Sequence, residues 1–117
     1  MSDLMRALAV TFTLAVFAMP ASLAQDAPVR IGSKTFTESY ILGEIAAQLL
    51  ESEGFRVERQ LGLGGTLVAF EALKAGAIDI YPEYTGTLTQ AVLGKPDLTM
   101  AGLVEALAED GLRMQLS

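Results

Sequence analysis

Cysteine and histidine are both absent from this sequence of 117 residues. Their absence excludes disulfide scaffolds, Cys/His zinc sites, cysteine nucleophiles and histidine-based triads by counting. Basic residues are scarce: eight Lys and Arg stand against fourteen Asp and Glu, for a net charge of −6. Nucleic acid is therefore not an expected partner, because phosphate binding needs clustered Lys and Arg. Long apolar runs are also lacking. The apolar fraction of 51% is concentrated in the first two dozen residues, and no stretch reaches the roughly 20 residues that cross a bilayer comfortably. What remains is about one domain's worth of acidic chain.

Residues 1–24 read MSDLMRALAVTFTLAVFAMPASLA. Arg6 precedes an apolar run from Ala7 to Met19, which Pro20 breaks. Ser22 and Ala24 then place small residues at the third-last and last positions before Gln25. Basic start, short apolar run and small-residue cleavage site are the three regions of a secretory signal peptide. The expectation is an exported, soluble product cut before Gln25, with residues 25–28 as a short polar linker and residues 29–117 as the folded part. No Cys follows the cut, so a lipid-anchored mature form is not expected.

Val29–Ser33 reads as a short strand. Thr35 and Glu38 have the spacing of a T-x-x-E capping box. Behind them Ile41, Leu42, Ile45, Ala46, Leu49 and Leu50 recur at helical spacing, opposite Glu44, Gln48 and Glu51. Gly54 closes that helix. Phe55–Leu61 alternates as a second strand, and Gly62, Gly64 and Gly65 make a turn. Thr66 can cap a helix from Leu67 to Ala75 that Gly76 ends. Ile78 and Ile80 form a third short strand stopped by Pro82. A helical segment lies around Gly86–Leu93, Thr99 caps a last helix over about 100–110, and Arg113–Leu116 begins another strand. Strands alternating with helices imply an α/β layer structure with a largely parallel sheet and flanking helices.

Three stretches carry chemistry. At Gly32-Ser33-Lys34-Thr35-Phe36-Thr37-Glu38 a strand runs into a helix start, where free N–H groups and the positive dipole end favour anions. Lys34 adds a full positive charge there, so the spot reads either as a carboxylate site or as a capped helix start with a solvated lysine. Gly62-Leu63-Gly64-Gly65-Thr66 fits neither a phosphate loop nor a dinucleotide fingerprint, because the glycines are misplaced and no Lys follows. A tight turn that lets backbone approach a ligand or a neighbouring element suits it better. Ile78-Asp79-Ile80-Tyr81-Pro82-Glu83-Tyr84-Thr85-Gly86-Thr87 crowds two tyrosines and two carboxylates at one strand end. Aromatic faces attract cations, and an alkylated ammonium is cheap to desolvate. Thr87 lies three residues past Tyr84, on the same side of a helical turn. A paired-carboxylate hydrolase using Asp79 and Glu83 is the rival reading of this stretch.

Taken as an ordered set, IGSKTFTESYILGEIAAQLLE and LGLGGTLVAFEALKAGAIDIYPEYTGT resemble the periplasmic substrate-binding proteins of ABC importers for glycine betaine, choline and related osmolytes. The resemblance covers residues 29–113. It implies the first lobe of a hinged, two-lobed, type II-like periplasmic binding protein, without catalytic residues, cofactor or metal. It implies that Tyr84 is a wall of an aromatic cage around a quaternary ammonium. It also implies that Thr87 donates a hydrogen bond to the ligand carboxylate and that Lys34 is that carboxylate's charged partner. The implied partners are the small molecule and a membrane-embedded ABC permease, and the implied place is the periplasm. Members run to about twice a typical domain length, so this chain matches the N-terminal part of lobe one. The alternatives are a truncated lobe that binds nothing and the small hydrolase above. A partial lobe is also expected to leave a sheet edge and an apolar face uncovered.

Overall fold

The computed structural model describes residues 27–116. The signal peptide expected over 1–24 lies outside them, as do the first two residues of the expected linker and Ser117. Strand β1 (Val29–Lys34) is followed by helix α1 (Thr37–Ser52), strand β2 (Val57–Gly64) and helix α2 (Thr66–Lys74). Helix α3 opens over Thr85–Thr87 and widens into a π turn over Leu88–Val92. Helix α4 is Met100–Glu109. The α/β class with a parallel sheet, expected from the alternation, is the one that forms. β1 and β2 pair in parallel from Val29↔Val57 to Lys34↔Gly64, with an irregularity between Gly32 and Lys34.

The third strand is shorter than its sequence suggests. Only Ile80 bridges to Ile31, in parallel, with the Gly32 N–H donating to the Ile80 carbonyl at 2.8 Å. Pro82 has no N–H to extend the ladder. No strand forms over Arg113–Leu116.

Helix α1 overturns two expectations. The T-x-x-E box does not form: Phe36 occupies the cap position with extended backbone and no side-chain cap bond. Thr35 is still following the sheet, because its N–H and hydroxyl both donate to the Gly64 carbonyl at 3.1 and 3.4 Å. The second correction is the buried face. Ser39, Gly43 and Ala47 lie against the sheet, while Ile41, Ile45 and Leu49 are half or more exposed. A stripe of small residues four apart lets the helix axis come close to β1 and β2. A Cβ on Gly43 would sit 3.0 Å from a Leu61 methyl and 3.4 Å from the Gly32 carbonyl oxygen. Larger side chains cannot occupy that seam, so they flank it.

The core has two parts. Ile31, Ile78, Ala47 and Ala69 are buried around the sheet. Phe70, Leu88, Leu103 and Leu107 form a second cluster between α2, α3 and α4, with Tyr81, Val92 and Leu93 packed against it. Thr99 caps α4 as expected, its hydroxyl oxygen accepting from the Gly102 N–H at 3.1 Å. Thr66 does not cap α2; Gly65 holds the cap position without a side-chain bond. Among the described residues no helix is long and apolar enough to cross a membrane.

Candidate functional site

Parallel strands put their carboxyl ends on one side of a sheet, and the segments that leave those ends form a common rim. Here the rim gathers all three stretches singled out above. β1 delivers Lys34 and then Phe36. β2 delivers Gly65 and Thr66. The chain beyond Ile80 delivers Tyr81, Glu83 and Tyr84.

Two buried hydroxyls set the β1 exit. Ser33 Oγ accepts from the Gly62 N–H at 2.8 Å, across the irregular part of the ladder. Ser39 Oγ, in the first turn of α1, accepts from the Lys34 N–H at 2.8 Å. Gly62 itself has φ +71, and a Cβ there would collide with the Tyr40 phenol oxygen. The glycine-rich stretch is thus a close approach to a neighbouring helix, one of the two uses its sequence allowed.

The Lys34 ammonium lies in the middle of the rim. Its Nζ donates to Glu83 Oε1 at 2.7 Å and to Thr66 Oγ1 at 3.2 Å. The two charged side chains are only 7% and 5% exposed. Glu83 does more than neutralise the lysine. Its Oε1 also accepts from the Tyr84 N–H at 3.0 Å, and its Oε2 accepts from the Tyr81 hydroxyl at 3.2 Å. Burial, followed by the Glu83 charge, pushes the Tyr81 phenol well above its ordinary range.

An aromatic pair stands over this ion pair. The Phe36 and Tyr84 rings stack with centroids 6.4 Å apart and planes 23° apart. The Phe36 centroid is 5.2 Å from Lys34 Nζ, within cation–π range. Both rings are about 40% exposed, so aromatic surface faces outward from the rim. Hydrogen bonding toward the Glu38 carboxylate raises the Tyr84 phenol above its usual value. Thr87 is half-buried in the opening turn of α3, three residues beyond Tyr84.

Asp79 and Glu83 are not presented as a catalytic pair. Asp79 accepts from Arg30 three times: from its N–H at 2.8 Å, from Nε at 3.2 Å and from a terminal nitrogen at 3.1 Å. These bonds to Arg30 lower the Asp79 pKa, the opposite of what a general acid needs. Glu83 is committed to Lys34. Among the described residues no group of three or more acidic side chains is placed to hold a metal ion.

The structure therefore brings Lys34 and Tyr84 to one rim through Glu83. Sequence reasoning missed Phe36, Thr66, Ser33 and Ser39, and it weighed Glu83 only as a hydrolase acid. One signal was available: Phe36 sits two residues past Lys34 in the motif already singled out.

Residues 27–115 match the family described as the substrate binding domain of the ABC-type glycine betaine transport system. The glycine betaine-binding protein YehZ of Escherichia coli is 45% identical over 73 residues, covering 62% of this chain and 23% of that protein. A glycine-betaine-binding protein of Pseudomonas aeruginosa is 51% identical over 67 residues, covering 57% and 21%. An ergothioneine transport permease and binding protein, EgtU, of Helicobacter pylori is 37% identical over 83 residues, covering 70% and 15%. Among solved structures, apo YehZ from Escherichia coli superposes with a TM-score of 0.61 at 36% identity, over 73% of this chain and 32% of that one. The chain spans about a fifth of the length of the two glycine betaine-binding relatives.

Proposed function

The chain belongs to the family of substrate binding domains of the ABC-type glycine betaine transport system, and on that premise we propose that it forms the N-terminal part of lobe one of an importer's substrate-binding component. Its ligand is glycine betaine or a related quaternary-ammonium osmolyte. The protein is exported, loses its signal peptide before Gln25 and works in the periplasm. It binds and hands over a solute rather than transforming one. Closure of two hinged lobes traps the ligand and presents a surface to the membrane permease.

The observation that carries this reading is an outward-facing aromatic ring beside an ammonium on one sheet rim. Tyr84 supplies a ring face for the alkylated ammonium, whose methyl groups make it cheap to strip of water. Lys34 and Thr87 take the carboxylate. An ammonium has three N–H donors. Glu83 and Thr66 engage two of those on Lys34, and the third is assigned to the ligand.

Titration calorimetry with betaine and choline tests the reading. Tyr84→Leu keeps apolar area but removes the ring quadrupole, and both ligands weaken, by about two- to thirtyfold. Removing Lys34 alone leaves Glu83 buried and unpaired, so the lysine is tested as Lys34→Met together with Glu83→Gln. That double variant weakens betaine, which has a carboxylate, more than choline, which has none. Equal losses for the two ligands return Lys34 to a purely structural role. Wild-type protein that binds neither ligand overturns the osmolyte reading itself.

A further inference from the structure

Glu83 is the most heavily engaged buried acid of the rim, and the ligand-binding scheme above gives it no contact with the ligand. Its two carboxylate oxygens accept from the Lys34 ammonium, the Tyr84 N–H and the Tyr81 hydroxyl. Those donors come from two strand exits, and Lys34 and Glu83 themselves are 49 residues apart in sequence. We propose that Glu83 is the positioning residue of the site, which seats Lys34 and Tyr84 in one frame and sets the preference between zwitterionic and cationic ligands through its own charge. This inference rests on the osmolyte-binding reading.

The electrostatics follow from the geometry. The pair is in contact at 2.7 Å and shielded from water, so its field at the ligand is that of a small dipole rather than a full charge. A neutral pair lets a cation approach Tyr84 without meeting the repulsion of Lys34. It also dilutes the pull of Lys34 on a ligand carboxylate. Removing the negative charge while keeping the side-chain shape leaves a bare ammonium beneath the aromatic pair. A unit charge a few ångströms from the ligand, at the effective dielectric of a partly wet site, is worth a tenfold effect or more. The shift favours the ligand that carries a carboxylate and disfavours the one that is only cationic. A residue that merely held the fold together would weaken both ligands by the same factor.

The test is calorimetry of betaine and choline on the exported protein and its Glu83→Gln variant. The betaine-to-choline affinity ratio rises at least about tenfold. An unchanged ratio overturns the proposal. If Glu83→Gln loses its far-ultraviolet helix signal, Lys34→Met/Glu83→Gln restores neutrality. That variant must then fold, and its affinity ratio must fall below that of wild type. Loss of fold in both variants assigns Glu83 a role in holding the fold and overturns the charge-setting claim. Should the wild type bind neither ligand, the osmolyte reading fails, and the positioning claim is then decided by tyrosine circular dichroism. The chain has three tyrosines and no tryptophan, and Glu83 touches two of the three. Lys34→Met/Glu83→Ala removes both acceptor oxygens without leaving a buried charge. It must lose more than half of the near-ultraviolet tyrosine band while keeping its helix signal. A band that survives intact overturns the frame.

Discussion

The seam beneath α1 makes a quantitative prediction. Replacing Gly43 by Ala has two opposed effects. Alanine is favoured over glycine in a helix interior by about 1 kcal/mol. Against that, the new Cβ lies 3.0 Å from a Leu61 methyl and 3.4 Å from the Gly32 carbonyl oxygen, inside the roughly 3.5–4.0 Å of relaxed carbon contacts. The methyl is the end of a rotatable side chain and can give way. The carbonyl belongs to β1 and cannot. Overpacking of this kind costs about 1 kcal/mol at its low end, so Gly43→Ala comes out within about 0.5 kcal/mol of wild type. Gly43→Leu adds three more carbons at the same point and costs about 3 kcal/mol in packing, for a net loss of about 2 kcal/mol. Gly86→Ala is the control, because a Cβ there meets nothing within 4 Å; it should be neutral to slightly stabilising. Urea unfolding followed by far-ultraviolet circular dichroism reads all three, with equal slopes required for the comparison. A Gly43→Leu variant as stable as wild type would refute the close seam. The site would feel the change too, since α1 carries the Ser39 hydroxyl that anchors Lys34.

Further outcomes can be checked independently. Leu103→Ala, at a core position 1% exposed, lowers stability by about 3 kcal/mol, measured in the same urea titration. Thr99→Ala removes the one side-chain cap of α4 and costs about 1 kcal/mol. Hydrogen bonds from Arg59, then Gln48, lower the Glu44 pKa from 4.5 to about 2. A depressed carboxylate contributes stability above its unfolded value and loses it as pH falls through the folded one. The melting temperature should therefore decline between pH 4.5 and about 2, and Arg59→Gln should flatten that part of the curve. The chain from Gln25 to Ser117, purified alone, exposes Ile41, Ile45, Leu49, Leu67 and Val68 by half or more. Sedimentation should find it oligomeric or marginally folded; a monomer with a sharp melt above about 65 °C would contradict this.

Much of the fold was legible because local rules agree with the tertiary outcome. Gly54 and Gly76 both take positive φ just past helices, where the sequence placed the stops. Thr99 caps because its hydroxyl oxygen meets the Gly102 N–H three residues on. Thr35 does not, because β2 offers it the Gly64 carbonyl first, and no local pattern records that β2 is near. The buried face of α1 was misread for a related reason. Periodicity counts apolar residues, and it favoured Ile41, Ile45 and Leu49. Close packing on a sheet selects for size instead, and Ser39, Gly43 and Ala47 look like interruptions when judged by hydropathy. At the rim, Tyr84 and Lys34 stood out by residue type. The bond between Lys34 and Glu83 did not, because a contact across 49 residues leaves no trace in local spacing.

One feature of the backbone explains why these distant stretches meet. All three extended segments run parallel, so each delivers its next residues to the same end of the sheet. Register then decides which side chains face the rim. From Val29↔Val57 to Gly32↔Gln60 the pairing advances evenly, and between Gly32 and Lys34 it slips, so that Lys34 faces Gly64. The slip is held by the Gly62 N–H on the Ser33 hydroxyl. Successive strand residues point to opposite faces. A strand that ended one residue earlier or later would therefore turn Lys34 away from Glu83 and leave each charge without its counter-ion in a buried place. The ion pair and the irregular ladder are thus one device. The irregular ladder sets Lys34 beside Gly64, the acid accepts its ammonium, and the aromatic pair is seated on the segments that the two of them join.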